Sequence, residues 1–165
     1  VLDLGMGTGC LLLAVLSERR MATGVGTDID PAAVAVARRN AHRLGLAERA
    51  TFVVADWGRA LEGHFDLVVA NPPYIPGHEI AGLQPEVARF EPLLALDGGA
   101  DGLDAYRRLA SDIARLLTTG GAAAVEFGTG QADPVASIMT AAGLAIDRCV
   151  PDLSGRLRCL VCRKP

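Results

Sequence analysis

The chain has 165 residues, half of them hydrophobic, and a formal net charge of −3. That length suits one domain with a sizeable core. The acidic balance leaves no electrostatic footprint for direct nucleic-acid binding, no stretch approaches the ~20 apolar residues of a membrane helix, and no signal peptide is visible.

Val1 to Leu4 reads as a short apolar strand, so the chain opens inside an element and without methionine. The reading is that something was removed or never included at the amino end. Gly5-Met6-Gly7-Thr8-Gly9 follows, then a helix over Cys10 to Arg20. A second strand runs from Thr23 to Thr27 and ends at Asp28. Asp30 is a plausible N-cap and Pro31 sits just inside the next helix, which stops at Gly45. Strands over Ala50 to Ala55 and Phe65 to Ala70 end at Asp56-Trp57 and Asn71.

The stretch from Ile75 to Leu103 is long and rich in proline and glycine, as a lid or binding loop would be. Gln84 to Phe90 within it has the makings of a helical turn. A helix over Asp104 to Leu117 is expected to take Asp104 as N-cap and to be stopped by Gly120-Gly121. Ala122 to Phe127 reads as a fifth strand, and Asp133 to Ala142 as a helix. Leu144 to Val150 and Leu157 to Arg163 read as two strands whose short connection suits an antiparallel hairpin. Strand alternating with helix, with near-continuous apolar strands, predicts an α/β fold: a doubly wound, mostly parallel seven-stranded sheet closed by that antiparallel strand.

The strand ends carry the chemistry. Gly5-x-Gly7-x-Gly9 lies between strand and helix, where glycine permits a tight turn and close approach of a ligand. The dinucleotide fingerprint would need glycine at Cys10. The spacing here instead favours a nucleoside cofactor without a pyrophosphate, and S-adenosylmethionine (SAM) fits. Asp28 is placed to accept from ribose hydroxyls, or to cap a helix. Asp56 is placed to accept from an adenine amine with Trp57 packed on the base, or to form an Asx turn beside an anchoring tryptophan. Asp3 either meets the ammonium of the methionine moiety or bonds the backbone of the glycine turn.

Asn71-Pro72-Pro73-Tyr74 leaves the fourth strand abruptly, because neither proline has an N–H for a strand ladder. At the carboxyl end of a strand, in an open α/β sheet, such a corner lies where ligands bind. The Asn71 side-chain oxygen and the Pro72 carbonyl can each accept one N–H of a planar NH2 group, and the Tyr74 face can stack on it. The same tetrapeptide also reads as a rigid turn.

Cys10, Cys149, Cys159 and Cys162 are the four cysteines. Cys159 and Cys162 point to opposite faces of a strand, so a pair of buried small hydrophobes is expected, not a zinc or redox site. With that cysteine usage the expected compartment is the cytoplasm. His42 reads as solvated on its helix and His64 as a loop residue, the role of His78 stays open, and the three histidines form no spaced metal set.

Val-Leu-Asp-Leu-Gly-x-Gly-x-Gly-Cys, Thr-Asp-Ile-Asp-Pro with Ala-Arg-Arg-Asn-Ala, Asp56-Trp57 and Asn-Pro-Pro-Tyr-Ile together resemble a class I methyltransferase. Glu86-Val87, Phe90-Glu91-Pro92, Ala95 to Gly99, Asp101 to Asp104 and Tyr106-Arg107 are similar to the release-factor glutamine methyltransferases. The likeness extends to Glu126, Gly128 and Gln131, and to Asp152-Leu153 with Gly155-Arg156. It implies transfer of a methyl group from SAM to the glutamine amide in the Gly-Gly-Gln loop of a peptide chain release factor, with S-adenosylhomocysteine as product. It further implies cofactor contacts from Asp3, Gly5, Met6, Gly7, Thr8, Gly9, Asp28, Asp56, Trp57 and Asn71, with Asn71, Pro72, Pro73 and Tyr74 holding the glutamine. Asn71, Pro72 and Tyr74 are then the residues of the reaction. Such proteins also carry an amino-terminal helical docking domain, so residues 1–165 are read as the catalytic domain with that part absent. Transfer to an adenine or guanine amine, a non-catalytic SAM-binding module and, less well, an NAD dehydrogenase are the competing readings.

Overall fold

The computed structural model describes residues 1–84, 86 and 92–165. Most of the helical turn expected over Gln84 to Phe90, and the Val87 and Phe90-Glu91 positions of the resemblance, lie outside the described residues.

Among the described residues seven strands form one sheet in the order β3-β2-β1-β4-β5-β7-β6. They are β1 (Leu2–Leu4), β2 (Gly24–Asp28), β3 (Ala50–Val54), β4 (Phe65–Ala70), β5 (Leu117–Glu126), β6 (Ala145–Pro151) and β7 (Leu157–Arg163). The first five are parallel, and β7 runs antiparallel between β5 and β6. The helices are α1 (Cys10–Glu18), α2 (Pro31–Arg43), α3 (Leu93–Leu96), α4 (Asp104–Leu116) and α5 (Ala132–Ala141). The doubly wound, mostly parallel sheet expected from the sequence is the one observed.

Two apolar clusters cover the sheet. Leu12, Leu13 and Leu16 of α1 pack with Val34, Ala37 and Ala41 of α2 and with Phe52. Tyr106, Leu109, Ile113 and Leu116 of α4 pack with Val135 and Met139 of α5 and with Leu2, Leu4, Val68 and Val125. The α4 residues recur at helical spacing on one stripe. Each fully buried Leu or Ile contributes roughly 1.5–3 kcal/mol. Along β1, Leu2 and Leu4 join the α4 cluster, and the strand period turns Asp3 toward α1.

Asp30 caps α2 as expected, its carboxylate accepting the Ala32 N–H at 2.8 Å, with Pro31 in the first turn. Two expectations need correction. Asp104 is not the N-cap of α4: Leu103 holds that place, and Asp104 lies in the first turn, where its charge suits the helix dipole. Nor does Gly120-Gly121 stop α4. The helix ends at Leu116 and the chain extends at once into β5, which pairs Leu117 with Phe65 and then Ala122 with Leu67. The glycine pair lies in the resulting bulge, with Gly120 at φ 76°.

Candidate functional site

Strand order reverses between β1 and β4, and this is where an open α/β sheet offers a crevice at its carboxyl edge. Leu4 pairs in register with Ala70. The residues that follow them, Gly5 and Asn71, therefore leave the sheet side by side. A cavity of about 390 Å³ opens there. Asp3, Gly5, Met6, Gly7 and Thr8 form one wall, and Asn71, Pro72 and Tyr74 form another. Cys10, Leu11, Ile75, Ala95 and Leu96 complete it. Gly9, Asp28, Asp56, Trp57 and Pro73, grouped with these by the sequence reading, do not line it.

Asp3 is 1% exposed. One carboxylate oxygen accepts the Leu12 N–H at 3.1 Å, and Oδ1 is buried without a partner among the described residues. Burial pushes its pKa up to about 7; the Leu12 bond opposes that rise and the nearby Asp28 charge adds to it. The acid that bonds the glycine turn is Asp28, not Asp3. Asp28 Oδ2 accepts the Gly7 N–H at 2.8 Å, and Oδ1 accepts the Asp30 N–H at 2.9 Å.

The proline corner is tied to the loop before α4. The Ile75 N–H donates to the Leu96 carbonyl at 3.0 Å, and the Gly98 N–H donates back to the Ile75 carbonyl at 2.9 Å. Gly77 bonds the Gly99 carbonyl at 2.9 Å. That loop is itself pinned, since Arg107 reaches both Asp101 and Asp104 and its hydrogen bond holds the Asp101 carboxyl down at about 2. The described parts of the 75–103 stretch thus contribute cavity wall, through Ile75, Ala95 and Leu96, and support for the proline corner.

The methyltransferase small domain family model matches residues 1–87. The chain belongs to the methyltransferase small domain family.

Release factor glutamine methyltransferase from Rhodospirillum rubrum is 57% identical over 164 residues, covering 99% of this chain and 50% of that protein. The protein of the same name from Cereibacter sphaeroides is 48% identical over 165 residues, covering 100% of this chain and 59% of that protein. This methyltransferase domain thus spans little more than half the length of the curated relatives it matches. A ribosomal protein L11 methylase from Lactobacillus delbrueckii subsp. bulgaricus shares the fold, with a TM-score of 0.72 at 19% identity over 99% of this chain and 69% of that one.

In the methyltransferase domain, Trp57 stands behind the cavity wall at Gly5, and Asp56 beside it in sequence faces α4. The Asp56 carboxylate is paired with Arg108 of α4 and lies 3.7 Å from Arg59. Trp57 adopts φ 53°, unusual for a bulky residue, and its ring stands against Gly5. A Cβ at Gly5, where φ is 70°, would lie 2.7 Å from that ring. Next to it the Gly58 N–H donates to Asp112 at 3.0 Å, and Arg115 bonds the carbonyls of Gly58 and Leu61. Sequence reasoning missed Arg108, Asp112 and Arg115, which lie more than 50 positions along the chain from their partners. It also missed Cys10 and Leu11, although their place at the start of the helix after the glycine turn was a signal.

Cys162 is buried and Cys159 half-buried, and both thiols are free. Burial raises the Cys159 pKa and pushes that of Cys162 to about 11, which keeps both neutral. Among the described residues no three His, Cys, Asp or Glu side chains gather as a metal site. His42 and His64 are exposed, and His78 lies 3.8 Å from Glu79 on an exposed turn. Among the described residues no helix is long and apolar enough to cross a membrane.

Proposed function

We propose that residues 1–165 form the catalytic domain of a SAM-dependent protein-glutamine N-methyltransferase. Its substrate is the glutamine side-chain amide in the Gly-Gly-Gln loop of a peptide chain release factor. The carrying observation is that Asn71, Pro72 and Tyr74 share one cavity with the glycine turn and Asp3. The 57% identity to a release factor glutamine methyltransferase supports the choice of substrate.

The residues present fit the cofactor. Asp3 Oδ1, on the cavity wall, is a buried acceptor with no partner among the described residues. A cation beside it would remove the cost of leaving that atom unsatisfied. The glycine turn, Met6 and Thr8 form the surface the nucleoside lies against, and Asp28, behind Gly7, holds that turn in shape. Each carboxylate oxygen has a second lone pair, so Asp28 can hold the turn and still accept from a ribose hydroxyl. Trp57 backs the turn from behind Gly5, and Asp56 is held by Arg108. SAM, when bound, supplies an electrophilic methyl carbon and a neutral leaving group.

The protein's task is positioning. An amide nitrogen is a poor nucleophile because its lone pair is delocalised. The Asn71 side-chain oxygen and the Pro72 carbonyl accept its two N–H bonds, and Tyr74 stacks on the amide plane, backed by Pro73. That arrangement would turn the lone pair toward the glycine-turn side of the cavity, where the cofactor would be held. In well-oriented systems such positioning lowers a barrier by roughly 7–11 kcal/mol. The nitrogen would be acidic once it carried the methyl group, so its proton could pass to water and no strong base is required.

The test is incubation with SAM and a purified peptide chain release factor, followed by mass mapping of the Gly-Gly-Gln peptide. One added methyl on the glutamine is expected. An unmodified glutamine with intact SAM binding would overturn the substrate assignment.

A further inference from the structure

Gln131 precedes α5 and lies outside the cavity wall, yet its side chain reaches back toward the proline corner. Its amide oxygen accepts the Gly128 N–H at 2.8 Å. Its amide nitrogen donates to the Tyr74 carbonyl at 2.9 Å, with the Gly102 carbonyl at 3.4 Å. One planar group therefore joins three segments: the corner after β4, the loop before α4 and the turn after β5. Glycines flank it on both sides. A Cβ at Gly102 would stand 2.5 Å from the Tyr74 carbonyl oxygen and 2.6 Å from the Gln131 nitrogen. A Cβ at Gly128 would stand 2.8 Å from the Gln131 oxygen and 3.0 Å from the Tyr74 ring. The backbone is bare at both places where a side chain would push this amide away.

The geometry points to Gln131 as a positioning residue: by fixing the Tyr74 carbonyl, it orients the Tyr74 ring and the Asn71 and Pro72 acceptors toward the cavity. The inference rests on the function proposed above. An amide is the group that meets both demands, because it carries an acceptor and a donor on one plane. A carboxylate at the same place would set an oxygen against two carbonyl oxygens. When protonated, it would again offer a donor.

The experiment compares Gln131→Glu and Gln131→Met with the parent 165-residue chain. It reads turnover on a purified release factor, SAM affinity by calorimetry, and amide hydrogen exchange of the peptide covering residues 71–77. Both variants are expected to lose kcat by roughly 10- to 100-fold, the scale of a small misplacement of reacting groups. SAM affinity should stay within a factor of about three, because neither variant touches the glycine turn. Exchange across residues 74–77 should quicken. Lowering the pH from about 8 to about 6 should restore part of the Gln131→Glu activity relative to the parent, and none of the Gln131→Met activity.

Unchanged exchange would overturn the clamp. Faster exchange with kcat unaltered would overturn its role in positioning. Parallel loss of kcat, SAM affinity and thermal stability would reduce Gln131 to a general structural residue and overturn the proposal. If the parent chain methylates no release factor, the functional reading fails and takes the positioning role of Gln131 with it. The exchange measurement still decides whether the clamp on Tyr74 exists.

Discussion

Asp28 at the end of β2 accepts the Gly7 N–H at 2.8 Å, so the acid proposed to meet a ribose is also the brace of the glycine turn. Asp28→Asn keeps one acceptor and loses the other. Calorimetry should show SAM affinity falling roughly tenfold, the worth of one or two hydrogen bonds to a charged acceptor. The thermal midpoint should fall by only a few degrees. Unaltered affinity would confine Asp28 to bracing the turn.

Asp3 sets function against stability. Its folded pKa of about 7 lies above the ordinary carboxylate value, so the folded chain holds a proton that the unfolded chain has released. Stability of the free protein should therefore fall as pH rises from about 4 to about 7 and level off above that. Asp3→Asn, which can still accept from Leu12, should remove this decline and melt higher than the parent at about pH 8. It should also bind SAM more weakly. In the parent, bound SAM should draw the Asp3 pKa down, so that binding below about pH 7 releases a proton. Melting curves across pH, and calorimetry in buffers of different ionisation enthalpy, check both signs.

Asp112, 7% exposed, accepts the Gly58 N–H and the Arg115 guanidinium. These bonds hold the turn that presents Trp57 to Gly5. Asp112→Ala leaves a buried N–H unpaired, at a cost of about 1–3 kcal/mol. The single tryptophan makes the consequence visible. Its emission should shift to the red as the ring leaves Gly5, and SAM affinity should drop. Emission identical to the parent would show that the turn keeps its shape without Asp112.

Much of this was legible because the signals are local. Apolar runs marked the strands, Asp30-Pro31 marked the start of α2, and Asn71-Pro72-Pro73 marked where β4 must end. The cavity residues Asp3, Gly5 to Thr8, Asn71, Pro72 and Tyr74 followed from those strand ends. Gly120-Gly121 misled, because a turn signal also describes a bulge when a strand partner holds both sides. Asp104 has the chemistry of an N-cap, but its partner is Arg107 one turn along. The pairing of Asp56 with Arg108 spans 52 positions, and no spacing rule encodes it. The clamp of Gln131 on Tyr74 spans 57 and is equally hidden.

The proposed reaction needs Asn71 to grip the substrate amide, not to hold the cofactor. Asn71→Ala should therefore slow single-turnover methylation of the release factor by roughly 100-fold or more, while the Kd for SAM changes by less than about threefold. A variant that loses rate and SAM affinity by equal factors would contradict the role given to Asn71. So would one that methylates at the parent rate.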